Sequence, residues 1–301
     1  MIHLSNGHSF DYMVASGALA FDGKGWPWEH PVRWLGLLRP ELFTVVMKTV
    51  TREPRKGNLR WLKPWQSVSL LTGGGAVNKI GLTNPGVEWW CEKVGPRLDF
   101  ERQPFVASIY GSVQELVEMT EMFNEFGVVA IEVNPSCPNT GTSVESAQAV
   151  IDGVQAVREV SKHPVLAKLS AAQDYLHIAS ELEGAAEALS INSVPWELIF
   201  PEARSPLHRL ERRVGGGGGG VSGVPAQEHN WKMVEELAAL DAAAVIGPSV
   251  MSFDDVEKVR ERGAKAISFG AIHLRRPWAP TSIVIEDQRR RAATTAAPAQ
   301  P

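Results

Sequence analysis

The sequence predicts an α/β protein built as a (β/α)8 TIM barrel, with loop insertions at the C-terminal face. Eight short, β-rich apolar runs recur along the chain, and amphipathic helical stretches follow most of them. Two long irregular insertions leave the C-terminal ends of strands, the face on which barrel enzymes build their sites. The first two strands are read at "DYMVASG" (11–17) and "LFTVVMKTV" (42–50), and a Gly-, Pro- and Trp-rich insertion, 51–103, follows them. "PFVASIYG" (104–111) leads into a stretch whose Val113, Leu116, Val117, Met119 and Phe123 recur at helical spacing. "VVAIEVNPS" (128–136) precedes an amphipathic helix opened by a serine cap with a glutamate nearby. "PVLAKLS" (164–170), "EALSINSV" (187–194), "AAVIGPSV" (243–250) and "KAISFGAI" (265–272) complete the set, and a second insertion spans 195–225.

A doubly wound open sheet is the alternative fold. It usually carries fewer strands and a Gly-rich first turn, and "VASGALAFDG" fits that turn poorly. One barrel domain over 1–286 is therefore expected. The tail "DQRRRAATTAAPAQP" (287–301) has no apolar residue larger than alanine and is expected to be disordered.

Composition narrows the class of function. With 44% apolar and 21% charged residues in 301, the chain reads as soluble and globular. A net charge of -4 argues against a polyanion-binding surface. Two cysteines, Cys91 and Cys137, are too few for a disulfide framework. No signal peptide or membrane-length apolar run is visible, so a cytoplasmic location is expected, without membrane or nucleic-acid partners. The eight histidines show no metal-ligand spacing, and no metal is expected. The ten tryptophans are expected to pack the core and the insertions.

Chemistry-bearing residues end the predicted strands. Lys48 ends the second, Asn134 the fourth, Lys168 the fifth, and Asn192 with Ser193 the sixth, while Gly247 and Gly270 end the seventh and eighth. Such groups face a partly desolvated mouth, where an unpaired one costs about 1–3 kcal/mol. Cys137 lies in "NPSCPN", just above the fourth strand, between two stiffening prolines. By itself a cysteine is often a small buried apolar residue. Cys91, in "EWWCEK", has no comparable surroundings and is read as structural. Ordering the run Gly215–Gly220 costs about 1–2 kcal/mol per residue, so part of it is expected to move.

Six segments, in order, resemble the class 1 dihydroorotate dehydrogenases, flavoenzymes of pyrimidine synthesis. "IEVNPSCPN" looks like their "ELNLSCPN" signature, and "NKIGLTNPG" (78–86) is similar to their N-x-M-G-L-x-N-x-G loop. "VASG" (14–17), "MKTVT" (47–51), "INSV" (191–194) and "GGGGGVSG" (216–223) are similar to further family segments. The resemblance implies FMN as cofactor and oxidation of dihydroorotate to orotate. Cys137 matches the base that takes a proton from C5, while hydride passes from C6 to flavin N5. Lys48, Asn78, Asn134, Asn139, Asn192 and Ser193, with backbone of Ile80, Gly81 and Leu82, match substrate-binding positions. Ala15, Ser16, Gly17, Lys48, Thr49, Asn134 and Lys168 match flavin contacts, Lys168 beside the N1–O2 edge. Ser222, Gly223, Gly247, Ser249, Gly270 and Ala271 match the phosphate end.

Three departures stand out. Pro248-Ser249 replaces a Gly-Gly pair whose N–H groups bind phosphate, and proline has none to give. Ala271 stands where threonine is common, and "TGTSVES" (140–146) replaces the usual continuation of the substrate loop. A related flavin enzyme acting on another dihydropyrimidine-like ring, or a non-catalytic nucleotide-binding barrel, are the alternatives. The expected partner is a small-molecule substrate. A homodimer, and an electron-transfer subunit carrying FAD and an iron–sulfur cluster, stay open.

Overall fold

A computed structural model of the chain describes residues 1–60, 62–135 and 146–296. A hairpin of β1 (Ile2–His3) and β2 (Ser9–Phe10) precedes the first barrel strand, β3 (Tyr12–Val14). Helix α1 (His30–Trp34) and strand β4 (Thr44–Val46) follow, and then the first insertion with β5 (Val68–Leu71), β6 (Gly75–Asn78) and α2 (Val87–Lys93). Strand and helix next alternate through β7 (Phe105–Ile109), α3 (Val113–Phe123), β8 (Ala130–Val133), α4 (Ala147–Val160), β9 (Val165–Leu169), α5 (Tyr175–Glu181) and β10 (Ala188–Ile191). The second insertion holds β11 (Val194–Pro195), α6 (Trp196–Ile199), α7 (His208–Val214) and β12 (Gly220–Gly223). The chain continues through α8 (Gln227–Leu240), β13 (Ala244–Gly247), α9 (Phe253–Glu261), β14 (Ala266–Phe269), α10 (Ile272–Arg275) and α11 (Ala279–Ala296).

Eight parallel strands close the barrel in the order β3-β4-β7-β8-β9-β10-β13-β14, one within each predicted run. Successive side chains of a strand face opposite sides. Here both sides are buried, which is why the runs read as continuously apolar. Val45, Phe105, Ile131, Val165 and Leu189 belong to the outer core, with Leu116, Val154 and Leu237 of the helices. Met13, Val46, Val106, Ala130, Leu166, Ala188, Ile246 and Ala266 fill the interior, floored by Ile2, Leu4 and Phe10 of the hairpin. Two residues further along the same strands, the inward positions turn polar: Lys48, Ser108, Glu132, Lys168, Ser190 and Ser268. All six are buried. The barrel is therefore apolar at its floor and polar toward its C-terminal mouth. The following helices start at side-chain caps from Ser112, Ser146, Asp174 and Ser252, each worth about 1 kcal/mol.

The structure departs from the sequence reading in several places. The hairpin floor went unread because two-residue strands leave no periodicity. The insertions contribute an antiparallel four-stranded sheet, ordered β11-β12-β6-β5, and not loops alone. Trp90 packs the core, with its Nε1 donating to the Phe21 carbonyl at 2.9 Å, but Trp34 and Trp65 are 77% and 65% exposed. Trp61 lies outside the described residues. Among the described residues, no helix is long and apolar enough to cross a membrane, and no acid, histidine or cysteine cluster could hold a metal.

Of the tail expected to be disordered, residues 287–296 are helical in α11, and 297–301 lie outside the described residues. Its polar composition hid an anchor: Asp287, buried, accepts from Arg260 Nη1 at 2.9 Å and from the Tyr12 hydroxyl. Burial works against the Asp287 charge, but the Arg260 guanidinium and the Tyr12 hydroxyl outweigh it, and the pKa falls below the ordinary 3.8. A carboxylate with a depressed folded-state pKa stabilises above its unfolded value and loses that contribution as pH falls through the folded one. Asp287→Asn should therefore cost about 1–3 kcal/mol near pH 7, and the deficit should shrink below about pH 4. Urea unfolding at the two pH values checks this; an equal deficit at both would refute the ionic anchor.

Candidate functional site

The C-terminal mouth of the barrel carries a continuous hydrogen-bond network. Ser16 Oγ donates to the Met47 carbonyl at 2.9 Å and meets Thr49 Oγ1 at 2.8 Å, joining the ends of the first two barrel strands. Thr49 Oγ1 in turn meets Ser108 Oγ at 2.8 Å and accepts from Asn134 Nδ2 at 3.1 Å. Asn192 Nδ2 donates to Asn134 Oδ1 at 3.2 Å, and Asn192 Oδ1 accepts the Ser193 N–H at 2.8 Å. Five predicted residues from four strand ends thus share one chain of contacts. Deeper in, Ser108 Oγ reaches Glu132 Oε1 at 3.0 Å, and the same oxygen receives Lys168 Nζ at 3.2 Å. Lys48 is 7% exposed and Lys168 6%, so two ammonium groups and one carboxylate lie under the mouth. The stem of Lys48 runs past Gly17, where a β-carbon would lie 3.7 Å from its Cγ.

The insertion sheet lies beside these residues. Gly220 to Gly223 pair with Asn78 to Gly75, and Val194 of β11, two residues after Asn192, pairs with Val221. Two glycines of the run are held: Lys79, fully buried, donates from Nζ to the carbonyls of Gly216 and Gly217. Burial pulls the Lys79 pKa down, while Glu211 and Glu197 partly restore it. The Glu197 carboxylate accepts the Gly218 N–H, and Ser205 Oγ donates to the Gly218 carbonyl at 2.7 Å. Bulk is excluded here, since a β-carbon on Gly219 would sit 2.6 Å from the Asn78 carbonyl oxygen. The loop after Asn78 turns sharply, with Gly81 at φ +67° and Leu82 at +54°. Asn84 supports that turn, donating from Nδ2 to the Leu82 carbonyl at 2.7 Å. Ile80, Gly81 and Leu82 are thereby held next to Asn78.

The seventh- and eighth-strand ends form another rim. The Ala15 N–H donates to the Phe269 carbonyl at 2.9 Å, and a β-carbon on Gly270 would lie 3.4 Å from Ala15 Cβ. Ser249 adopts φ +63°, a left-handed conformation that favours glycine. It is supported by Asn230 Nδ2 on its Oγ at 2.9 Å and Gln227 Nε2 on its carbonyl at 3.1 Å. Gly247 has a packing reason to lack a side chain: a β-carbon would meet Val259 Cγ2 at 2.7 Å. A cavity of about 630 Å³ opens nearby, lined by Gly73, Gly74, Gln227, Ser252, Arg275 and Arg276 among others. Arg276 donates to the Met251 carbonyl, so a cation stands beside the loop that carries Ser249.

Cys137 and Asn139 lie outside the described residues. Cys91 sits in α2, where burial, with Glu88 and Glu92, pushes its thiol up to about 11, an unreactive setting. Glu132, Ser108, Ser190 and Lys79 were missed by sequence reasoning. A signal for Glu132 was present, since an acid inside an apolar strand is as unusual as the lysines that were noticed.

A closed parallel barrel with buried lysines and amides at its C-terminal mouth is the architecture of a β/α-barrel enzyme. A family model described as dihydroorotate dehydrogenase matches residues 34–287. The chain belongs to that family, and with it to the oxidoreductases acting on CH–CH bonds. It is 31% identical over 263 residues to the dihydroorotate dehydrogenase B (NAD(+)) catalytic subunit of Listeria innocua, covering 83% of this chain and 82% of the relative. The Desulforudis audaxviator protein of the same name is 33% identical over 258 residues, 81% and 79% of the two chains. An Aeropyrum pernix chain, assigned as dihydroorotate dehydrogenase A (fumarate), is 34% identical over 238 residues, 76% and 74% of the two.

Proposed function

We propose that this protein oxidises dihydroorotate to orotate, a step of pyrimidine biosynthesis, with FMN as its cofactor. The carrying observation is the mouth network, in which Ser16, Thr49, Asn134 and Asn192 are linked above two buried lysines. That donor set fits a flavin. Hydroxyls and carboxamides suit the heterocycle's edges, and Lys168 supplies a cation for the ring. Ser222, Gly223, Ser249, Gly270 and Ala271 would meet the phosphate, and Arg276 brings charge that offsets the donor missing at Pro248. FMN, when bound, supplies the hydride acceptor.

The chain's own residues do the rest. Cys137 takes the proton from C5 of the substrate. Asn78, Asn134, Asn139, Asn192 and Ser193 hold the pyrimidine ring and carboxylate, each amide offering a donor and an acceptor together. Lys48 places positive charge where it favours both the substrate's carboxylate and the thiolate of the base. The insertion sheet, fastened by Lys79, shields the mouth from water and keeps the reacting atoms aligned. The names of the Listeria and Desulforudis relatives, catalytic subunits of an NAD(+)-using enzyme, favour a second subunit as the route by which electrons leave.

Purified protein should be yellow, and dihydroorotate added without oxygen should bleach its flavin band. Flavin-replete protein that does not bleach would exclude this substrate and leave another dihydropyrimidine. Colourless protein that takes up no added FMN would leave the nucleotide-binding reading.

A further inference from the structure

A carboxylate inside the barrel has no part in the chemistry above. Glu132 is 1% exposed, and its register on β8 sets it opposite Ser108 of β7. Both of its oxygens are occupied. Oε1 accepts Ser108 Oγ at 3.0 Å and Lys168 Nζ at 3.2 Å, and Oε2 accepts Ser190 Oγ at 2.8 Å. Ser190 is also the register partner of Lys168. Donors from three neighbouring strands thus fix the carboxylate, and the carboxylate fixes the lysine. A flexible four-carbon stem would otherwise leave the ammonium several positions. Stability alone accounts poorly for the arrangement, because replacing a buried ion pair by well-packed apolar residues is often neutral or stabilising.

We propose that Glu132 is a positioning residue for Lys168, one that clamps the ammonium and offsets its charge, and so sets the reduction potential of the bound flavin. The proposal rests on the flavin reading above. A bare cation at the ring's edge favours the electron-rich form and raises the potential. A carboxylate 3.2 Å from that cation, in a poorly solvated interior, cancels much of its field at the ring. The pair then acts as an oriented dipole, and the flavin passes electrons onward more readily than it would beside an unpaired lysine.

The test is a spectroscopic redox titration of the FMN-loaded protein against a reference dye. Glu132→Gln keeps the shape and removes the charge, so its flavin should be easier to reduce by about tenfold in the equilibrium, roughly 30 mV for a two-electron couple. An unchanged potential in a parent and variant that both bind flavin overturns this proposal alone. A parent that takes up no flavin overturns the cofactor reading, and this proposal with it. Should the single variant fail to fold, Glu132→Gln with Lys168→Met buries no charge and carries the test. A potential within about threefold of the parent supports a self-cancelling pair, whereas a fall beyond tenfold shows an unscreened lysine and overturns it.

Discussion

Replacing Cys137 by alanine should slow flavin reduction by dihydroorotate by about 10²–10⁴-fold, the usual contribution of a positioned general base. On the proposed reading this removes the base and leaves the flavin site intact, so the flavin absorption should be unchanged. Among the described residues, the other cysteine offers no substitute. Cys91 lies in α2, and its thiol is pushed up to about 11, leaving it protonated at neutral pH. Only a thiolate can accept the proton, so the parent rate should rise with pH as the thiolate fraction grows. Cys137→Ala should lose both the rate and that rise. Rapid-mixing measurement of flavin bleaching reads both, and an unaltered rate in the alanine variant would assign the proton to another group.

Lys168→Met should destabilise the fold by about 3–5 kcal/mol, the usual result of removing one partner of a buried pair. The cost comes from Glu132, which keeps only Ser108 and Ser190 as donors of the bonds described and is 1% exposed. Adding Glu132→Gln should recover most of the loss, since the double variant leaves no stranded charge. Urea unfolding midpoints of the three proteins test this. A loss below about 1 kcal/mol in Lys168→Met would show that water reaches the carboxylate. This stability experiment needs no flavin, so it tests the geometry of the pair separately from its electronic role.

The barrel strands were legible because burial on both faces turns each into an unbroken apolar run, as in "PVLAKLS" and "AAVIGPSV". Site candidates were legible where an amide or a lysine ends such a run. The same rule applied to "VVAIEV" points to Glu132, but reading that stretch as part of a motif hid the acid inside it. The insertion sheet was not legible. Its strands are two to four residues long, and β12 is half glycine, so neither period nor propensity marks them. Nor was the polar end of α11, which ion pairs join to Arg260 and Asp11, beyond the buried Ile283 and Val284 that pack the start of the helix on the core.

The sequence by itself determined the eightfold alternation of strand and helix, and the set of polar residues at the strand ends. Both follow from local periodicity, which each segment carries without reference to the others. Only the tertiary structure decided that Glu132 meets Lys168, that Lys79 fastens the glycines, and that the tail docks. Those contacts join residues 36, 137 and 275 positions apart, and it is barrel closure and the cost of burying unpaired charge that select them.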